Sequence, residues 1–404
     1  MLSKDDNELL TRVSGSAPMG TMIRQHWWIP AARSENLVAD GAPLRVRLFG
    51  ANHVAFRATD GRLGFFDEAC PHRGASMALA RNEDNALRCI YHGWKFSVEG
   101  VTVAVPTQPN NAAEYCKHVP LRRYPVQESS GIVWVFLGEG TPPPLPQLPF
   151  IGLPAENMVV FRQKVNANWL QAVETTMDSA HLGVLHQSWL KGFGDIENSS
   201  VNMAPVYHVQ QEPFGFRYAA VRALQDERYY VRTNAFVMPW YGIVSPNQSD
   251  VQGGSAFFSV PIDDEHIWYW QITYRTNGAL VRNKTHLYAD ADDWPPLPPG
   301  TPDDNWGQDR AAMRDGHFTG FTQMLGTEDF AVILSMGPIS DRTTEYLGAG
   351  DGAVLAVRRC LMAAVRQHSQ GEVPALAQHA AIDYRRAVPG SAVVQGAQDW
   401  RAAL

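Results

Sequence analysis

Two short segments limit what this chain can fold into more than any other part of it. Cys70-Pro71-His72-Arg73-Gly74 is followed by Cys89-Ile90-Tyr91-His92-Gly93-Trp94, with sixteen residues between His72 and Cys89, a C-x-H-x16-C-x2-H pattern. Each segment offers one thiol and one imidazole, so neither completes a metal site alone. The residues between them must double back and bring the two loops together. The flanking sequence predicts such a setting. Leu44–Phe49 and His53–Arg57 alternate apolar and polar residues, are joined at Gly50-Ala51-Asn52 and are ended by Asp60-Gly61, the pattern of a small antiparallel β unit. Gly131–Leu137 reads as a further short, buried strand.

Two occupants suit this donor set. One is a single Zn²⁺ in Cys2His2. The other is a [2Fe–2S] cluster with two cysteines on one iron and two histidines on the other, the Rieske arrangement. Zinc fingers pair Cys with Cys and His with His at each knuckle, whereas here each loop mixes the two types. Mixed loops favour a cluster with chemically different ends, because each loop reaches both. Gly74 and Gly93 let the backbone come close to the sulfides, where N–H groups tune the potential. Cys116 and Cys360 lack such company and read as small buried apolar residues. Four cysteines in 404 residues cannot form the dense disulfide framework of a small secreted protein. No apolar leader and no run approaching about 18 apolar residues is present, which predicts a soluble, cytoplasmic protein without a membrane partner. Net charge −7, from 34 basic and 41 acidic residues, gives no basic surface for nucleic acid.

The proline run Thr141-Pro142-Pro143-Pro144-Leu145-Pro146 is an extended connector. It predicts two domains, residues 1–150 and 151–404. Beyond it, Asn166 to His186 has no proline and carries apolar residues at helical intervals, which predicts a helix. Tyr207 to Arg275 returns to alternation with many aromatics, as strands of a larger antiparallel sheet. Trp294–Gly300 is a second proline-rich loop, and the last hundred residues are mainly helical, notably Ala353–Gln367.

On the first of these helices Glu174, Asp178 and His181 are spaced four and three apart, as one polar stripe. His181 and His186 are five apart, about 140° around a regular helix, and would not converge on one ion. Gly183 between them predicts a helix end or a π-type widening that swings His186 back. Two imidazoles with one carboxylate form the facial triad of non-haem Fe(II), which leaves positions open for O2 and substrate. Asp178 is one candidate for the carboxylate, and is equally placed to hold the other N–H of the His181 ring. Farther along, Asp329 at the start of an apolar run is preferred over Glu328.

C-P-H-R-G…C-I-Y-H-G-W-K-F joined to N-W-L-Q-A-V-E-x3-D-S-A-H-x4-H resembles the oxygenase component of Rieske non-haem iron ring-hydroxylating systems, over nearly the whole chain. Asn7-Glu8-Leu9-Leu10, Arg73-Gly74-Ala75-Ser76, Asn168-Trp169, Gly337–Arg342 and Glu345–Gly348 are similar to its phthalate dioxygenase and phenoxybenzoate dioxygenase branch. Thr175-Thr176 and Tyr346 depart from that branch, where small residues and a histidine often stand. The resemblance implies an α+β protein: an N-terminal all-β Rieske [2Fe–2S] domain, then a catalytic α+β domain with an antiparallel sheet flanked by helices. It implies that Cys70, His72, Cys89 and His92 bind the cluster and that His181, His186 and Asp329 bind a mononuclear Fe(II). It implies further that Asp178 bridges to a cluster histidine of a neighbouring subunit in a homotrimer or a stacked-trimer hexamer. Electrons would come from NAD(P)H through a flavin and iron–sulfur reductase, and O2 would be used to hydroxylate a small aromatic substrate. Cis-dihydroxylation of an aromatic carboxylate is the expected reaction, with O- or N-demethylation as the alternative. Arg217, Arg222, Arg228 and Arg232 are available to pair with a carboxylate, but no residue is assigned to substrate. A Rieske electron carrier and a zinc-stapled binding module are the non-oxygenase alternatives.

Overall fold

Short runs of alternating residues separated by tight turns make the part of the chain around the cysteines entirely β apart from short helical turns. The computed structural model describes residues 1–119, 121–247, 251–280 and 292–396. It divides into two units, Ile23–Pro143, and Met1–Met22 with Pro144–Leu404.

In the first unit Leu44–Leu48, Ala51–Arg57 and Leu63–Asp67 form one three-stranded antiparallel sheet, and Trp28–Arg33, Ile132–Phe136 and Val126–Ser129 another. A four-stranded sheet runs Arg81–Glu83, Ala86–Arg88, Lys95–Ser97, Thr102–Ala104. Its first hairpin occupies the gap between the two metal-loop segments. Glu83 pairs with Ala86 across Asp84-Asn85, both at positive φ (53° and 58°), a two-residue turn that short polar side chains tolerate. The doubling back required by the motif is thus built by residues 81–88. Val54, Phe56, Phe66, Met77, Leu87 and Phe96 make the core under the loops, with Cys70, Cys89 and Trp94 buried in the same cluster and Cys116 packed on it.

The second unit is built on an eight-stranded antiparallel sheet. Its order is Met158–Val165, Ile267–Arg275, Gly253–Pro261, Tyr241–Val244, Arg228–Val237, Gly215–Ala223, Val206–Glu212, with Gly390–Gln395 also paired to Arg228–Val237. Helices Trp169–Met177, Leu325–Ser335 and Gly352–Ser369 accompany it. Asn168 caps the first of these by accepting from Leu170 N at 3.1 Å, and the helix buries Trp169, Leu170, Ala172, Val173 and Met177. It lies close on the sheet at Gly242, where a Cβ would stand 2.4 Å from Thr176 Cγ2. Cys360 is buried on the last helix. No helix among the described residues is long and apolar enough to cross a membrane.

Three expectations change. Residues 1–22, expected with the cluster domain, pack in the second unit, and the division falls at Pro143/Pro144, inside the proline connector. The helix Lys4–Thr11 is held there by polar contacts to residues remote in sequence: Leu2 N to Arg342 O at 3.0 Å, Asn7 Nδ2 to Ser340 O at 3.2 Å, and Asn168 Nδ2 to Thr11 O at 2.9 Å. The long helix expected over Asn166–His186 ends at Met177, because Asp178 is extended (φ −78°, ψ 112°); single turns Leu182–Leu185 and Gln187–Leu190 follow. The polar stripe therefore breaks. Glu174 faces away and receives both Arg342, at 2.8 Å, and Arg358, at 2.6 Å, while Arg358 also reaches Glu345. Gly183 does not widen a helix: a Cβ there would lie 2.1 Å from Ser199 O, so its smallness serves packing.

Glu174 is mostly buried beside the fully buried Arg342. Glu174→Ala leaves two buried guanidiniums facing no carboxylate at that point, so the unfolding free energy should fall by about 3–5 kcal/mol, read from the urea midpoint. Glu345→Ala, at the more exposed end of the network, should cost about 1 kcal/mol or less.

Candidate metal centres

The two loops of the first unit repeat one backbone pattern. Cys70 N donates to Ala75 O at 2.8 Å and Gly74 N to Cys70 O at 2.8 Å; Cys89 N donates to Trp94 O at 2.8 Å and Gly93 N to Cys89 O at 3.0 Å. Gly74 and Gly93 close these turns at φ +74° and +72°, where a side chain would be strained. The rings of His72 and His92 lie 4.4 Å apart, and both Nδ1 atoms are buried without a hydrogen-bond partner among the described residues. Burial, and then the neighbouring Cys89, push the Cys70 thiol up to about 11. Two buried thiols and two orphaned imidazole nitrogens form a donor set that is costly as it stands and satisfied by a metal centre. Trp94 stacks on His72 with centroids 4.2 Å apart and planes 8° from parallel, and donates from Nε1 to Thr107 Oγ1 at 3.2 Å. The motif gave Trp94 no role, yet it fixes the plane of one donor ring.

In the second unit His181 and His186 stand at the two ends of the single turn Leu182–Leu185, and Asp329 lies on the helix Leu325–Ser335. Asp329 Oδ1 is 3.5 Å from His181 Nε2 and 3.1 Å from His186 Nε2. One ligand atom from each residue lies within 4.8 Å of the others. His186 Nε2 and Asp329 Oδ1 are buried and make no hydrogen bond among the described residues. Burial alone would depress the His186 imidazole, but Asp329 and Glu328 raise it to about 9; burial would raise Asp329, but His186 and His181 hold it low. Such mutual charge dependence around orphaned atoms is what a cation relieves, and two imidazoles with one carboxylate suit Fe(II) with open positions.

Asp178 lies behind this triad, with Oδ2 3.6 Å from His181 Nδ1. Its Oδ1 accepts from Ala180 N at 2.7 Å and from the Tyr207 hydroxyl at 3.4 Å. Glu328 lies behind His186, with Oε2 2.6 Å from Nδ1. Of the two neighbouring acids, Asp329 faces the imidazole Nε2 atoms and Glu328 the opposite edge of one ring, since successive residues on a helix diverge by about 100°. Sequence reasoning weighed Glu328 only as a ligand and had no means of finding Tyr207.

The four arginines separate. Arg217 pairs with Glu212 at 2.9 Å and Arg228 is exposed. Arg222 and Arg232 are buried on adjacent strands, diagonal on one face, since Arg222 lies opposite Tyr230 and Ala220 opposite Arg232. Arg222 donates to Ser179 O and, at 3.2 Å, to Ser179 Oγ, beside Asp178. Arg232 donates to Ser245 O at 3.0 Å. Arg222 Nε and Nη1 and Arg232 Nε have no partner among the described residues, and burial and then Arg232 lower the Arg222 guanidinium.

A model of the Rieske [2Fe-2S] domain matches residues 27–125, and a model of the LigXa C-terminal domain like family matches residues 135–403. The chain belongs to the Rieske oxygenases with this type of C-terminal domain and is an aromatic ring-hydroxylating oxygenase component. It is 36% identical to the phthalate 4,5-dioxygenase oxygenase subunit of Pseudomonas putida, over 99% of this chain and 94% of that protein. It is 33% identical to the 3-chlorobenzoate-3,4-dioxygenase oxygenase subunit of Comamonas testosteroni (91% and 90%). It is also 30% identical to the 5,5'-dehydrodivanillate O-demethylase oxygenase subunit of a Sphingobium species (93% and 83%). Pseudomonas putida CBB5 NdmA with caffeine shares the fold, with TM-score 0.62 at 18% identity over 93% of this chain and 98% of that one.

The expected α+β architecture, a [2Fe–2S] cluster and a mononuclear iron thus belong to this chain. Oxygenase components of this type take electrons from reductase or ferredoxin partners and use O2 with aromatic substrates. A bare electron carrier or a zinc-stapled module would leave residues 135–403 without a purpose.

Asp329→Ala and His181→Ala should lower iron from about three to about two atoms per chain while the visible spectrum of the cluster persists. Cys89→Ser should abolish that spectrum. Metal analysis with absorption spectroscopy checks both.

Proposed function

We propose that Cys70, His72, Cys89 and His92 hold the cluster, that His181, His186 and Asp329 hold the mononuclear iron, and that the enzyme dihydroxylates an aromatic carboxylate. The observation that carries the reading is the approach of His181 Nε2 and His186 Nε2 to one carboxylate oxygen, with the last two atoms buried and without a hydrogen bond among the described residues. When bound, the iron supplies the centre at which O2 is activated with electrons delivered by the cluster.

The remaining roles fall to this chain's own side chains. Ala180 N and the Tyr207 hydroxyl engage one oxygen of Asp178, which leaves Oδ2 turned toward the Nδ1 edge of His181. In this reading Asp178 links His181 to a cluster histidine of a neighbouring subunit in a homotrimer or stacked-trimer hexamer. The reductase is a flavin and iron–sulfur protein using NAD(P)H, and the enzyme works in the cytoplasm.

The carboxylate reading has two supports. Phthalate and 3-chlorobenzoate, named in two relatives, are aromatic carboxylates, as is phenoxybenzoate, named in a relative at 27% identity. Arg222 is buried beside the Ser179 turn and Arg232 is buried diagonal to it on the neighbouring strand, both with N–H groups left over, and arginine pairs with carboxylate through two such groups. The relative that is an O-demethylase favours a second reading, in which the pocket presents a methoxy group instead of a ring edge.

Asp178→Asn should leave both metals bound and slow oxidation of the reduced cluster by about 10–100-fold in single-turnover stopped flow; coupled turnover at the normal rate would remove the bridging role. O2 uptake with a surrogate reductase, over phthalates, phenoxybenzoates and methoxybenzoates and followed by product identification, separates the two reactions. A cis-dihydrodiol supports the first reading, and formaldehyde with a free phenol supports the second.

A further inference from the structure

We propose that Glu328 is a positioning residue that fixes His186 as an Nε2 donor, and that Thr319 sets Glu328 in turn. The inference rests on the reading that His181, His186 and Asp329 hold iron.

Glu328 is fully buried, and a carboxylate in that position is costly unless both oxygens are engaged. Both are. Oε2 lies 2.6 Å from His186 Nδ1, and Oε1 accepts from the Thr319 hydroxyl. Among the described residues its ion-pair partner is His186 and not a lysine or arginine, so the buried charge is matched to the ring itself. For that contact to be a hydrogen bond, Nδ1 must carry the proton, because a carboxylate only accepts. The lone pair of a neutral ring is then on Nε2, the buried atom 3.1 Å from Asp329 Oδ1 that makes no hydrogen bond. One contact thereby sets both the rotation of the ring and the nitrogen it offers.

Thr319 is directed the same way. Its oxygen accepts from Phe321 N at 3.3 Å, which leaves its hydrogen for Glu328. The segment that carries it is fastened on both sides of the centre: Phe318 N donates to Ser188 Oγ at 2.8 Å, two residues past His186, and Thr319 reaches Glu328, one residue before Asp329. Gly320 turns at φ +77° where a Cβ would meet Asp309 O at 2.6 Å, so the segment has little freedom to reposition. The two ligand histidines are therefore backed differently. Asp178 stands 3.6 Å from His181 and is partly exposed, free to face another subunit; Glu328 is sealed inside and bonded at short range.

The test uses the full-length protein with its cluster intact, depleted of mononuclear iron and titrated with Fe(II). Glu328→Ala should weaken Fe(II) binding by about 10–100-fold at unchanged cluster absorbance. Glu328→Gln, whose amide oxygen still accepts from Nδ1–H, should recover most of that loss. Thr319→Val should weaken binding several-fold and Thr319→Ser should restore it. These two remain informative if the alanine variant at 328 does not fold. Wild-type affinity in Glu328→Ala and Thr319→Val would overturn the proposal, and so would equal losses in the Gln and Ala variants, which would assign the effect to charge. His186→Ala is the control for the underlying reading. If it keeps its Fe(II) affinity the ligand assignment itself fails; if it loses iron while the Glu328 variants do not, only the positioning role fails.

Discussion

Buried polar atoms that have no hydrogen-bond partner among the described residues mark both centres of this molecule. His72 Nδ1, His92 Nδ1, His186 Nε2 and Asp329 Oδ1 are all in this condition. Withdrawing such atoms from water is unfavourable, and a folded chain accepts the cost where a ligand reverses it. Around both centres the neighbouring contacts hold the orphaned atoms in place without satisfying them. Trp94 stacks on a ring and offers it no hydrogen bond, while Asp178 and Glu328 stand at the Nδ1 edges of rings whose Nε2 atoms face Asp329.

The two centres reach this result by different means. In the first unit a local device suffices, because a hairpin of eight residues joins two loops with the same backbone pattern. In the second, the donors come from stretches more than 140 residues apart, and their approach depends on helices packed on a large sheet. Gly242 permits that packing on one side, and the Glu174, Arg342 and Arg358 network ties the same helix to the later part of the chain.

That difference explains what the sequence disclosed. The Cys70, His72, Cys89 and His92 set was legible because its spacing and its hairpin are local. His181, His186 and Asp329 were legible as residue types in a known order, but their geometry was not. The helical period that placed Glu174, Asp178 and His181 on one stripe stops at Met177, and an Asp178 in extended conformation reorients everything after it. Glu328 and Asp329 could be ranked as ligands, yet the second role for the loser needed a partner at Thr319. Arg222 and Arg232 could be distinguished from Arg217 and Arg228 only by burial.

The placement of residues 1–22 makes the cluster-bearing unit an insertion within the other unit and not a domain that precedes it. It is held by two covalent connections, at Met22/Ile23 and Pro143/Pro144, where a domain at a chain end would have one. Synthesis from the N-terminus then releases the helix Lys4–Thr11 long before Asn168, Ser340 and Arg342, the residues that satisfy it, have been made. The contacts that satisfy the first residues of the catalytic unit are therefore complete only when its last third has been made.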